Sequence, residues 1–151
     1  MNARFKTTHN FFFLLLFVGL LSFASSKSQP TNKGTLYVHI SNVESSTGTI
    51  RVNVFKKGDD IFEKPFLIKL IEPNIDGLEV AFKELTYSDY VVYVFQDENN
   101  NKKMDHSFGL PAEPFGYSNN WELTIFSGKP SFKKTKFTFS KKNNIVNIKL
   151  N

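Results

Sequence analysis

The chain has 151 residues with 19 Lys and Arg, 14 Asp and Glu and no cysteine; that length suits one domain able to hold a core without covalent staples. The missing thiols exclude disulfide frameworks, thiolate zinc sites, redox pairs, thiol nucleophiles and a lipid anchor at cysteine. Beyond residue 24 the balance is 17 basic to 14 acidic side chains, a small surplus rather than the clustered positive charge a nucleic-acid groove needs, so no nucleic-acid partner is expected.

Met1 to Asn10 is polar and carries Arg4 and Lys6, Phe11 to Leu21 is apolar apart from Gly19, and Ser22 and Ala24 are small residues at alternate positions. This is the layout of a secretory signal peptide over 1–24, cut after Ala24, with Ser26 a near second. The apolar run is about half the ~20 residues that span a bilayer as a helix, so no stable membrane anchor is expected. Export to the periplasm or the extracellular space follows. Residues 25–33 hold nothing apolar to bury and read as a flexible leader, which leaves 34–151 as a single domain.

From Gly34 the apolar period is two. Leu36, Val38 and Ile40 alternate with polar neighbours, Ser45 to Gly48 makes a turn, and Ile50, Val52 and Val54 resume the alternation, which predicts two antiparallel neighbours. Phe66, Ile68 and Leu70 predict a short third strand after Pro65, although Ile61 to Leu70 also fits one or two helical turns. Leu78, Val80 and Phe82 follow, then Tyr90 to Phe95, apolar on both faces like a central strand covered on both sides. Phe132, Phe137 and Phe139, and then Ile145, Ile148 and Leu150, supply two more strands. The expected fold is all-β, an immunoglobulin-like or transthyretin-like antiparallel β-sandwich of about seven strands.

After the central strand, Asp97, Asn99, Asn101 and Asp105 stand at positions 1, 3, 5 and 9 of a loop, each with side-chain oxygen for a hard cation. Lys103, at position 7, offers its backbone carbonyl. A calcium loop would end in a bidentate Glu at position 12, where this chain has Phe108, so the set sustains at best weak affinity, roughly 10⁻⁴ to 10⁻³ M. The competing reading needs no ion: Asn and Asp close turns on their own backbone.

The segment from Tyr93 through Asp105 and on through Phe108 to Asn120 resembles the bacterial family catalogued as domain of unknown function 2141. Its pattern, Asp-x-Asn-x-Asn-Gly-Lys-Leu-Asp, then Gly-Ile-Pro-x-Glu and Gly-Phe-Ser-Asn-Asn, is matched by Asp97, Asn99, Asn101, Lys103, Asp105, Gly109, Pro111, Glu113, Gly116, Ser118, Asn119 and Asn120. Lys102 stands where the pattern has Gly, Met104 and Leu110 replace other aliphatics, and Tyr117 replaces Phe. The resemblance implies a small exported sandwich protein and brings no established activity.

Physically, Phe108 to Asn120 reads as an ordered surface loop without regular structure, stiffened by Pro111 and Pro114 and anchored over the core by Phe108, Leu110, Phe115 and Tyr117. Glu113 turns back to the Asp97 loop, as a further ligand or as an acceptor for amides. Trp121 reads as packing before it reads as a sugar platform. His39 points outward from its strand and His106 borders the acidic loop, neither with a partner spaced for nucleophilic catalysis. Two functions remain. The first is a non-catalytic binding or structural module, a monomer whose loop end at Asp97 to Asn120 meets an extracytoplasmic protein, a glycan or an ion. The second is a secreted hydrolase using the loop carboxylates.

Overall fold

The computed structural model describes residues 32–151. The expected signal peptide and residues 25–31 of the expected leader lie outside the described residues.

Alternation becomes burial. β1 (Lys33–Ser41) buries Leu36, Val38 and Ile40, and β2 (Thr49–Lys56) buries Ile50, Val52 and Val54. β4 (Leu78–Thr86) buries Val80, Phe82 and Leu85, and β10 (Ile145–Lys149) buries Val146 and Ile148, with Leu150 just beyond. Each such aliphatic side chain withdrawn from water contributes about 1.5–3 kcal/mol. β3 (Leu67–Ile71) is an edge strand, and β5 (Ser88–Asp97) is the spine. A three-stranded sheet in the order β10-β1-β4 faces a five-stranded sheet in the order β3-β2-β5-β8, with β8 spanning Phe115–Tyr117. β9 (Phe137–Phe139) shares β5's outer edge with β8. The main core, with Leu36, Val52, Val94 and Ile148 fully or almost fully buried, lies between the two sheets. The protein is therefore an all-β sandwich.

Several local expectations change. β1 and β2 are not neighbours: β1 pairs with β4 and β10, while β2 pairs with β3 and β5, so the Ser45–Gly48 connection crosses from sheet to sheet. Gln96, fully buried, holds that crossing by donating its side-chain amide to the carbonyls of Ser45 and Thr47. The β1–β10 pair is parallel, an exception to the antiparallel expectation. Phe132 belongs to a single helical turn, α1 (Phe132–Thr135), not to a strand. β3 exists, yet its faces are reversed: Leu67 and Ile71 pack on the core while Phe66, Ile68 and Leu70 are exposed. Within Phe108–Asn120, expected to lack regular structure, lie β7 (Leu110–Pro111), which pairs with β6 (His106–Ser107) as a hairpin, and β8.

β5 is covered on both faces, as its sequence requires. Tyr90, Val92 and Val94 face the main core, whereas Val91 joins Phe55, Ile61 and Tyr117 in a second cluster on the outer face. That second cluster draws in Tyr93, Phe115, Trp121 and Phe132 and positions everything that follows.

Candidate functional site

β5 ends at Asp97, whose side chain is nearly inaccessible. One carboxylate oxygen accepts the Asn101 amide at 2.9 Å and the other the Lys102 amide at 2.7 Å. Asn99 and Asn101 close further local turns, accepting the amides of Asn101 and Lys103. Both also donate their side-chain amides to Asp105, at 2.6 and 2.9 Å. Glu113 reaches back from the far side of the hairpin, one oxygen accepting the Glu98 amide and the other the Asp105 amide. Burial raises the Glu113 pKa above the ordinary glutamate range; the two amides oppose that rise and the charges of Asp105 and Asp97 add to it.

The structure thus gathers Asp97, Asn99, Asn101, Asp105 and Glu113 at one corner. Among the described residues no three carboxylate or imidazole side chains converge as a metal site would require. Lys103 is exposed, and its amide, rather than its carbonyl, is the group tied into the corner. A calcium ion does not fit this arrangement as it stands, because amide nitrogens, not oxygens, face Asp105.

The second half of the motif divides by position. Gly109, with φ of 79°, turns the β6–β7 hairpin, and Pro111 is half-buried in β7. Phe108 and Leu110 are exposed, so of the four expected apolar anchors only Phe115 and Tyr117 pack inward. Gly116 faces inward where β8 meets β10, and a Cβ there would stand 2.4 Å from the Lys149 carbonyl oxygen. Ser118 is fully buried between β8 and β9. Its backbone amide donates to the Val92 carbonyl, its hydroxyl accepts the Val92 amide at 2.9 Å, and the same hydroxyl donates to the Thr135 carbonyl. An amide left orphaned between two short strands is satisfied in this way. Asn119, with φ of 63°, donates to the Lys134 carbonyl and ties the segment to α1; Asn120 follows with φ of 50°.

Together the segment 102–130, the 61–65 loop and β3 wall a groove of about 920 Å³ on the outer face of the five-stranded sheet. That size lies within the ~300–1,000 Å³ typical of small-molecule sites. Its floor is aromatic: Tyr93 stacks between Phe95 and Tyr117, with ring centroids 5.4 and 4.4 Å away, and Trp121 and Tyr117 form a T-shaped pair with centroids 5.3 Å apart. Burial drives the phenols of Tyr93 and Tyr117 far above their ordinary range, with Tyr117 and Glu113 adding to the effect at Tyr93, so neither phenol contributes a negative charge to the floor. Arg51 of β2 lies over Phe95, its guanidinium carbon 5.7 Å from the ring centroid.

Sequence reading did not place Arg51, Asn53, Phe55 or Ile68 in a site. The available signal was Phe55, an aromatic in phase with Arg51 and Asn53 on the face of β2 that alternation assigns to solvent. The histidines lie apart: His39 is half-buried and hydrogen-bonded to Glu79 across the β1–β4 ladder, while His106 is exposed at the groove's edge.

Neither a curated protein nor a solved structure matches the chain significantly. A family model described as an uncharacterized protein conserved in bacteria matches residues 38–147, from β1 into β10. The chain therefore belongs to that bacterial family, DUF2141.

Proposed function

We propose that the protein is an exported, non-catalytic binding module of the periplasm or cell exterior, monomeric, whose ligand surface is the walled groove on the five-stranded sheet. The observation that carries this reading is the groove itself: about 920 Å³ of concave space on an aromatic floor, bounded by the family motif segment. Exposed apolar concavities of this size mark binding sites. The hydrolase reading has less support. Asp97 and Glu113 each have both oxygens engaged by backbone amides, and Asp105 has both engaged by the Asn99 and Asn101 side chains, an arrangement that favours a closed turn over an open pair of reacting carboxylates.

Amide NMR of the isotopically labelled protein against a panel of small fragments tests the groove. Shifts are expected at the amides of Tyr93, Tyr117 and Trp121. Binding that moves only residues of the three-stranded sheet would overturn the assignment.

A second reading, weak calcium binding at the Asp97 corner, is favoured by one observation. Asp97, Asp105 and Glu113 are tied into one hydrogen-bonded corner, and among the described residues none of them forms an ion pair with a basic side chain. Calcium would have to turn the Asn99 and Asn101 amides over so that their oxygens face inward. Calorimetric titration should give heat and a rise in melting temperature at millimolar calcium, lost in Asp105→Asn; no heat leaves the corner a self-closed turn.

A further inference from the structure

The groove carries a charge that the rest of the surface does not. Between residues 32 and 151 there are 16 Lys and Arg against 14 Asp and Glu, which is close to balance. The groove, however, is lined by Arg51, Lys64, Lys102, Lys103 and Lys129 against the single carboxylate of Glu63. Cations concentrated around a concave, low-dielectric floor focus positive potential into it.

Arg51 is the cation that sits on the floor itself. β2 places it opposite Phe95 in the ladder, half-buried, with its guanidinium over that ring. Among the described residues no carboxylate lies within ion-pair distance of it, and its Nε is buried without a hydrogen-bond partner. Arg51 nonetheless lines the groove, and a guanidinium with no carboxylate partner in the protein is matched by the edge of a ligand carboxylate. The aromatic floor is less suited to sugar. Tyr93 is stacked between Phe95 and Tyr117, so its ring faces are taken up within the protein and the groove meets mainly apolar edges.

We propose that the groove binds an amphipathic anion, a small molecule whose carboxylate is held by Arg51 within the lysine rim and whose alkyl or aromatic body lies along Tyr93, Tyr117 and Trp121. This rests on the groove being the binding site and adds the class of its ligand.

Trp121 is the only tryptophan, so its emission reports on the groove wall. The full chain is titrated with dodecanoate, dodecanol, dodecyltrimethylammonium and cellohexaose, and Trp121 emission and melting temperature are followed. Dodecanoate should shift both at the lowest concentration, with the other three at least about tenfold weaker. Arg51→Gln should weaken dodecanoate by about 10- to 100-fold and leave dodecanol unchanged, with Arg51→Lys between it and the native protein. Circular dichroism checks that the variants fold; should both Arg51 variants unfold, Lys102→Gln combined with Lys103→Gln takes their place and should weaken dodecanoate several-fold.

Dodecanol binding as tightly as dodecanoate, preference for the cation or the hexasaccharide, or native affinity in the folded variants would each overturn the anion assignment while leaving the groove as a binding site. No response to any of the four would overturn both.

Discussion

Lys102 adopts φ of 69°, a left-handed conformation in which its Cβ crowds the following carbonyl, and it does so because its amide is drawn onto Asp97. Glycine takes such a conformation without that crowding. Lys102→Gly should therefore stabilise the fold by about 1 kcal/mol, read as a higher urea midpoint at unchanged slope. A lower midpoint would mean that the lysine stem supports the groove wall by packing. The Asp97 corner was legible in the sequence because its contacts are local: Asp97, Asn99, Asn101 and Asp105 recognise one another across a few residues, and their spacing encodes the turn. Arg51 was not legible, because its role depends on Phe95, which reaches it only through the β2–β5 ladder. No spacing within one strand announces a neighbour supplied by another.

At the scale of the element, β3 shows how an all-apolar strand hides its orientation. Phe66 to Ile71 is apolar on both faces except for Lys69, so alternation predicts a strand and cannot choose its inward side. The β2 ladder makes the choice. Leu67 lies opposite Val54 and Ile71 opposite Ile50, both core residues, which leaves Ile68 and Leu70 opposite Asn53 and Arg51 on the outer face. Leu67→Ala and Ile71→Ala should each cost about 1–3 kcal/mol, whereas Leu70→Ser should fall within about 0.5 kcal/mol of the native protein in chemical denaturation. The opposite ranking would restore the face that simple alternation suggests. The same dependence on partners explains why β1 and β2 read as a hairpin and are not one. Their local pattern is right, but the buried Gln96 amide binds the connecting loop to β5 rather than letting the two strands meet.

Across the whole molecule, the last strand is the seam between the two sheets. β10 extends the three-stranded sheet by pairing in parallel with β1, and the chain beyond it then crosses to the other sheet. Leu150 donates its amide to the Ser41 carbonyl and accepts the Asn42 side chain at 2.8 Å, and Asn151 exchanges backbone hydrogen bonds with Phe115 of β8. Gly116 allows this crossing, because any side chain there would collide with the Lys149 carbonyl. Core and groove are thus coupled through a short piece of chain: Leu150 is fully buried between the sheets, while Phe115 turns outward to pack beside Trp121 and Tyr117. Removing Leu150 and Asn151 withdraws a whole core side chain together with the bonds that hold β8, and should cost about 3–5 kcal/mol in urea denaturation. The loss should also reach the groove. Trp121 emission should shift to the red under native conditions, because the wall behind it loses its tie to the core, whereas removing Asn151 alone should move the emission more than the stability. A truncated chain that keeps both its midpoint and its emission would show that the sheets are held together without the seam.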